Sequence, residues 1–366
     1  MQRLTFLCIM KTNCLFALVA FFIVHLTYSQ STKKDTLTEI KLNLFKEAKS
    51  EFSYFERKHG RTVATKNGKM HFLEFGEPTG IPLIWIHGSY TNAYEILHIV
   101  NQLASLGYYV IAIDYYGHGQ TEIPEHEVSL YHVADDISDM MVHKGLEKAV
   151  IGGWSRGAYI ATAFYDAYPQ KVLGLVLEDG GSVAFNHHYH QLSVQELDEK
   201  LKEIFSSNFS YPSFETEFEA YQYYYDTTRS DSQFELLAWI KQDDEGRWTI
   251  CPAVDHLFHM DNSISFEETI LRPGKANLFA RSLAFIEPEI IYRNLNVPML
   301  ILDPVSENDP FPNEGKNIHL KDQHPELIVH RLYQDTGHNL HFEAPENFVE
   351  DLQSFLDTIR KYWQMD

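Results

Sequence analysis

Gly153, Ser155 and Gly157 form a Gly-x-Ser-x-Gly pattern, in which a hydroxyl nucleophile lies between two residues that lack side chains. An apolar run at 149–151 precedes the pattern, and a helix-compatible run at 159–168 follows it. A serine on a tight turn from strand to helix has a strained backbone, and glycine neighbours avoid the clashes that larger residues would cause. The pattern predicts that the Ser155 hydroxyl is exposed and can act as a nucleophile. A glycine-rich turn that contains a serine by chance would show the same five-residue pattern, so this alternative remains.

The predicted helix after Ser155 adds a second chemical feature. It begins at Arg156, whose backbone N–H would lie at a helix N-terminus, where unpaired donors and the helix dipole favour a developing negative oxygen. The Arg156 side chain could bind a substrate carboxylate or pair with one of the 51 acidic residues, and we favour the second interpretation.

Strand and helix patterns alternate around this turn. Apolar runs of strand length lie at 81–86, 109–113 and 172–177, with helix-compatible segments between them. Such alternation is typical of a mostly parallel, twisted sheet with helices on both faces. Upstream, residues 61–75 predict a β-hairpin that turns at Asn67-Gly68.

The alternation stops after Gly181, and the next hundred residues read as helical and strongly aromatic. A chain of 366 residues exceeds the usual size of one domain, so we expect either one large domain that carries an insertion or two domains. The predicted organisation is a signal peptide at 1–29, an N-terminal helix within 30–60, an α/β core formed by 61–181 and 291–366, and a helical insertion at 182–290.

The first residues have the order of a secretory signal: Lys11, an apolar run at 14–26, and small residues that end at Ser29. We expect cleavage after Ser29, export to the periplasm or the medium, and no stable membrane anchor once the signal is removed.

The composition excludes some partners. The formal net charge is −21 and no stretch collects lysine and arginine, which argues against a nucleic-acid partner.

His187, His188 and His190 resemble a metal cluster, but no second ligand group lies at matching spacing. We therefore predict no metal and no other cofactor.

Four short motifs taken together resemble those of the α/β-hydrolase superfamily, and they occur in that family's order: His87-Gly88, Asp114-x-x-Gly117-x-Gly119, Gly153-x-Ser155-x-Gly157 and Gly337-His338. The resemblance covers 61–181 and about 291–366. It implies the α/β-hydrolase fold and makes 182–290 a helical cap over an active site.

The resemblance also implies roles for individual residues. Ser155 would be the nucleophile, and the N–H groups of Ser89 and Arg156 would form the oxyanion hole. The base should be a histidine late in the chain, and His338 fits because it closely follows a predicted strand at 327–333. His341 is the near competitor, which we interpret as structural.

A carboxylate must accept the other imidazole N–H to fix the tautomer of the base. In similar hydrolases this acid closely follows the strand that is predicted here at 297–302, often just ahead of a proline-containing turn. We favour Asp309, which precedes Pro310. Alternatives remain open at Glu307, Asp303 and Asp179.

These residues together predict an exported serine hydrolase that cleaves a carboxylic ester of a small-molecule substrate through an acyl-enzyme intermediate. An aminopeptidase or amidase and a lactonase would use the same triad. A dehalogenase or epoxide hydrolase is disfavoured, because those relatives carry aspartate in place of Ser155. A different class, a non-catalytic ligand-binding protein with this fold, remains as an alternative.

Overall fold

The computed structural model of the protein describes residues 30–206, 211–306 and 312–363. Its strands are β1 (Gly60–Ala64), β2 (Lys69–Phe75), β3 (Ile81–Ile86), β4 (Tyr108–Ile113), β5 (Ala149–Trp154), β6 (Val172–Glu178), β7 (Ile240–Gln242), β8 (Trp248–Ile250), β9 (Met299–Val305) and β10 (Ile328–Gln334).

The α-helices are α1 (Gln30–His59), α2 (Leu97–Leu106), α3 (Leu130–Lys144), α4 (Arg156–Ala167), α5 (His187–His190), α6 (Val194–Ser206), α7 (Glu217–Tyr224), α8 (Leu236–Trp239), α9 (Val254–Leu257), α10 (Ser263–Leu271), α11 (Leu278–Phe285), α12 (Pro288–Ile291), α13 (Glu314–Gln323), α14 (Leu340–Glu343) and α15 (Pro345–Trp363). Short 3-10 helices lie at Ala93–Ile96, Pro169–Lys171, Pro273–Lys275 and Tyr292–Asn294.

Eight strands form one sheet in the order β1-β2-β4-β3-β5-β6-β9-β10. The strands from β4 to β10 in this order are parallel, and β1 and β2 join them as an antiparallel hairpin. The fold is the predicted α/β fold with a mostly parallel sheet.

The central strands are apolar because both faces of the sheet are covered. Every residue of β3, β4 and β5 is buried, as expected for a parallel sheet that lies between two layers of helices. The edge strand β1 is largely open to solvent instead, and only its Val63 is buried. Parallel strands place their carboxyl ends at one edge of the sheet, so the loops after β3, β5, β6 and β10 can meet there.

The insertion between β6 and β9 contains α5 to α12, as the aromatic, helix-like sequence predicted. It also contains a small antiparallel sheet of β7 and β8, which the sequence analysis did not predict. The turn between these strands includes Gly246, whose φ is +78°.

The chain divides into two compact units. One comprises the described parts of Met1–His59 and Asn208–Pro252, and the other comprises those of Gly60–Ser207 and Ala253–Asp366. This division differs from the predicted boundaries, because the middle of the insertion packs with the N-terminal helix. The Phe45 ring of α1 lies 5.4 Å from that of Phe218 and 5.2 Å from that of Tyr221, and Lys49 forms an ion pair with Glu217 at 2.7 Å.

None of the described helices combines the length and the apolar character that a membrane span requires. The predicted signal peptide at 1–29 lies outside the described residues.

Candidate active site

Ser155 lies at the sharp turn between β5 and α4. Its backbone has φ 54° and ψ −120°, a conformation that residues other than glycine rarely adopt. A Cβ on Gly157 would lie 2.0 Å from the Ile86 carbonyl oxygen, and one on Gly153 would lie 2.4 Å from the Gly157 carbonyl carbon. The two glycines therefore allow the turn to pass against β3 and α4, and Ser155 keeps part of its surface open to solvent.

His338 lies on the loop that follows β10. Its Nε2 is 2.8 Å from the Ser155 Oγ, so the serine hydroxyl can donate its proton to the ring. The loop is held in three ways: the Gly337 N–H donates to the Glu343 carboxylate at 2.8 Å, the Thr336 hydroxyl donates to the Tyr333 carbonyl, and the Trp154 indole donates to the His338 carbonyl at 2.6 Å. Trp154 thus packs beside the elbow and fixes the loop.

Asp179 completes the hydrogen-bonded chain. Its Oδ2 lies 2.5 Å from the His338 Nδ1, and its side chain is fully buried. Burial raises the pKa of the Asp179 carboxyl, whereas the adjacent His338 opposes that rise. With Nδ1–H directed at Asp179, the Nε2 of His338 is left as the acceptor that a general base requires.

Asp179, one of the open alternatives, occupies the position against His338 Nδ1 that the sequence analysis assigned to Asp309. An imidazole Nδ1 carries a single hydrogen, and Asp179 is in position to accept it. Asp309 and Glu307 lie outside the described residues. Asp303 is described, but its Oδ2 bonds with His330 Nε2 and with the Asn317 amide, each at 3.0 Å.

The two proposed donors to an oxyanion, Ser89 and Arg156, lie in contact with each other at the nucleophile turn. Arg156 is the first residue of α4, so its N–H lacks an intrahelical acceptor. Ser89 lies in the turn after β3, and its Oγ accepts a hydrogen bond from the Arg156 Nε at 2.9 Å. The carboxyl end of β3 and the N-terminus of α4 are thus tied together beside Ser155.

Buried acids and histidines lie beside the Ser155–His338–Asp179 chain. Among them, only His341 was considered in the sequence analysis. Glu178 Oε1 accepts from the His341 backbone N–H at 3.0 Å and lies 2.8 Å from its Nδ1. The Trp85 indole donates to Glu95 at 2.9 Å. Burial raises the pKa of Glu178 to about 8 and that of Glu95 to about 7, and it lowers the pKa of His341 to about 4. His341 is thus packed inside the protein, in line with the structural interpretation.

The histidine cluster of α5 shows no metal geometry. His190 Nε2 bonds with the Ile270 carbonyl at 2.9 Å, and His187 bonds with Gln191 at 2.7 Å. In the part of the chain that the structure describes, no three potential ligands are grouped as a metal ion would need.

Part of the chain matches a known protein family. A family model described as alpha/beta hydrolase fold matches residues 81–234, which include the elbow and Asp179. The chain is therefore similar to the α/β-hydrolase superfamily, and its fold is the predicted α/β-hydrolase fold.

Several of the curated proteins that resemble this chain are epoxide hydrolases. Epoxide hydrolase 3 of Siraitia grosvenorii is 32% identical over 117 residues, which is 31% of this chain and 36% of the relative. Epoxide hydrolase A of Mycobacterium tuberculosis is 31% identical over 102 residues, which is 27% of this chain and 32% of the relative. The alignments thus span about a third of the length of these curated relatives.

Solved structures extend the similarity of fold over most of the chain. E-2-(acetamidomethylene)succinate hydrolase has a TM-score of 0.57 at 19% identity, with 81% of this chain and 98% of that chain covered. An esterase from a marine microorganism has a TM-score of 0.55 at 23% identity, with 78% and 98% covered. At these identities the likeness establishes the fold.

Proposed function

We propose that this protein is a serine hydrolase that cleaves a carboxylic ester, with Ser155 as nucleophile, His338 as base and Asp179 as the orienting acid. The observation that carries the proposal is the continuous hydrogen-bonded chain from the Ser155 Oγ through His338 to Asp179. A serine hydroxyl is a weak nucleophile until a base takes its proton, and these three side chains provide that activation.

The reaction proceeds in two halves. The Ser155 Oγ attacks the ester carbonyl carbon while His338 Nε2 takes the hydroxyl proton, and the Ser89 and Arg156 N–H groups stabilise the oxyanion. The carbon–oxygen bond then breaks, and His338 returns the proton to the departing alcohol. A water molecule, deprotonated by His338, attacks the acyl-enzyme, which releases the carboxylic acid and restores Ser155.

Asp179 stabilises the protonated form of His338 during this cycle. Each half of the reaction forms an imidazolium on His338, and a buried carboxylate at Nδ1 stabilises that charge. The raised pKa of Asp179, caused by burial, opposes its ionisation in the free enzyme. A positive charge on His338 favours the carboxylate form, so the attraction is strongest when the imidazolium has formed.

The epoxide hydrolase relatives suggest a second candidate activity, which Ser155 disfavours. As noted from the resemblance, epoxide hydrolases of this superfamily carry aspartate in place of Ser155, and attack of an aspartate on an epoxide gives an ester that water can hydrolyse. Attack by Ser155 would give an alkyl ether, which has no carbonyl for water to attack. Turnover of an epoxide is therefore not expected, and diol formation from styrene oxide would contradict this reasoning.

The test of the proposed function uses covalent labelling and turnover. A fluorophosphonate probe should label the native protein at Ser155, and Ser155→Ala should lose both labelling and hydrolysis of short para-nitrophenyl esters. Equal hydrolysis by the native protein and by Ser155→Ala would favour a non-catalytic ligand-binding protein. Faster turnover of aminoacyl amides or lactones than of esters would favour those bonds on the same triad.

We also propose that the protein is exported after cleavage of residues 1–29, that it acts on a small molecule without a nucleic-acid partner, and that no stable membrane anchor remains. The charged, apolar and small-residue order of the first residues supports this. N-terminal sequencing of protein from the periplasm or medium should begin at Gln30. Recovery of the full chain in the membrane fraction would contradict it.

A further inference from the structure

Arg156 is a buried cation without an ionic partner among the described residues. The residue is only 7% exposed, and its Nη1 is buried without a hydrogen-bond partner. Its pKa is lowered by burial, and the groups that oppose this effect are tyrosines. Among the described residues no acid forms an ion pair with Arg156, in contrast to the expected pairing with a surface acid. An uncompensated buried charge costs several kcal/mol, so its presence calls for an explanation.

The surroundings of the guanidinium are aromatic. Its Cζ lies 3.7 Å from the centroid of the Phe258 ring, a distance that allows a cation–π interaction. Phe258 in turn stacks on Phe279, with ring centroids 5.9 Å apart, and both rings are buried. These two phenylalanine rings can hold the guanidinium group in place, but they supply no negative charge to balance it.

Arg156 is also bound to the catalytic turn. It directly follows Ser155, and its Nε donates to the Ser89 Oγ at 2.9 Å, whereas Nη1 remains unused. The nearby tyrosine hydroxyls have acceptors of their own: Tyr90 donates to Asp255 at 2.7 Å and Tyr115 to the Gly88 carbonyl at 3.1 Å. The Arg156 guanidinium and the Ser155 hydroxyl thus lie at the same edge of the sheet.

We propose that Arg156 binds a carboxylate of the substrate, so that the preferred ester carries a free carboxylate in addition to the bond that is cleaved. This inference rests on the proposed function and specifies its substrate class. Guanidinium groups bind carboxylates through charge-assisted hydrogen bonds, and the free Nη1 provides a donor. One buried positive charge balances one carboxylate, whereas a phosphate dianion would leave a net charge in the site.

The test compares esters that differ only in this charge. One pair is para-nitrophenyl hydrogen adipate and its methyl ester, and the other is para-acetoxybenzoate and its methyl ester, so that the carboxylate lies on the acyl side or on the leaving group. Each kcat/KM is divided by the hydroxide-catalysed rate of the same ester. We expect the native protein to prefer the anionic member of at least one pair by roughly 10- to 100-fold.

The variants separate recognition from positioning. Arg156→Met should reduce that preference to within about threefold of unity, and Arg156→Lys should keep part of it. Arg272→Met, at an exposed arginine of the same unit, should keep the native preference. If Arg156 only positions Ser89, its variants will lose rate equally on charged and neutral esters, and that result would overturn the inference. Equal rates of the native protein on both members of both pairs would do the same.

A binding measurement keeps the inference distinct from the proposed function. Calorimetric titration of Ser155→Ala with adipate requires no turnover, and we expect binding that the additional change Arg156→Met abolishes. If the native protein hydrolyses no ester, the proposed function fails and the titration alone decides the carboxylate site. A dissociation constant weaker than about 10 mM for adipate, together with no preference in hydrolysis, would refute the site.

Discussion

Replacing Asp179 by asparagine tests the most specific geometric feature of the candidate site. Asparagine keeps the size of the side chain and an oxygen that can accept from the His338 Nδ1. It removes the negative charge, and its amide can instead donate a hydrogen bond to Nδ1. His338 would then carry its proton on Nε2, the atom that lies 2.8 Å from the Ser155 Oγ. Ser155 would lose its base although no atom has moved.

The size of the effect follows from the charge that is lost. Asp179 and an imidazolium on His338 would have charge centres about 4 Å apart, and at an effective dielectric constant of about 20 their attraction is roughly 4 kcal/mol. The full burial of the Asp179 side chain makes solvent screening weak. If this attraction is felt mainly in the transition state, kcat should fall by roughly a thousandfold.

The assay is turnover of para-nitrophenyl acetate with protein whose fold has been checked by circular dichroism and thermal melting. Labelling by a fluorophosphonate should slow in parallel, because it depends on the same activated Ser155. Asp309→Asn is the matched control, since it makes the same change at the acid that the sequence favoured, and its kcat should stay within about tenfold of the native value. An active Asp179→Asn together with an inactive Asp309→Asn would refute the assignment of the acid.

Two further predictions concern the structure around the triad. Gly157→Ala should destabilise the protein by several kcal/mol, because the new Cβ would lie 2.0 Å from the Ile86 carbonyl oxygen, whereas Gly315→Ala, where nothing lies within 4 Å, should be neutral or slightly stabilising. Equal melting temperatures for these two variants would contradict the close approach. Glu178→Gln should flatten the dependence of stability on pH. Because burial raises the Glu178 pKa from 4.5 to about 8, the folded state holds this proton more tightly, and native stability should fall by on the order of 1 kcal/mol per pH unit between those values. Urea unfolding at several pH values measures both slopes, and parallel slopes would exclude this contribution.

Much of the fold could be predicted from local signals that tertiary contacts do not override. Asn67-Gly68 predicted the hairpin of β1 and β2. Ser129 is of a residue type that favours helix N-termini, and it forms a capping box with His132 at the start of α3. The strands of the parallel sheet could be recognised because they are buried on both faces and are therefore continuously apolar.

The division of the insertion could not be predicted in the same way. Aromatic residues such as Tyr221 indicate burial, but their sequence does not say which element covers them. In the structure Tyr221 packs on Phe45 of α1, and its hydroxyl donates to the Ser232 carbonyl. Contacts between segments so distant in sequence leave no periodic signal in either one.

The site was predictable where chemistry depends on adjacent residues and less so where it depends on strand order. Gly153-x-Ser155-x-Gly157 and Gly337-His338 marked two side chains that the structure brings within hydrogen-bond distance. The acid was harder, because β6 and β9 are neighbouring parallel strands and each ends near an aspartate.

The backbone at one residue decides between these two aspartates. Glu178 pairs with Leu302, and the Asp179 N–H donates to the Leu302 carbonyl at 2.9 Å, so Asp179 and Asp303 follow matched positions. Asp303 remains within β9 and bonds with His330 of β10. Asp179 instead has φ 40°, which takes the chain out of the strand and leaves its carboxylate against His338.

The next two residues show why this turn is possible, and they provide the signal that sequence reasoning overlooked. A Cβ on Gly180 would lie 2.5 Å from the Ser155 carbonyl oxygen, and Gly181 has φ +73° with its Cβ position 2.4 Å from the Ala158 carbonyl oxygen. The chain after β6 must therefore pass directly against the nucleophile turn, and only residues without side chains allow it. An acid followed by two glycines at the end of this strand thus indicates a carboxylate beside the elbow. No such pair of glycines follows Asp303 or Asp309.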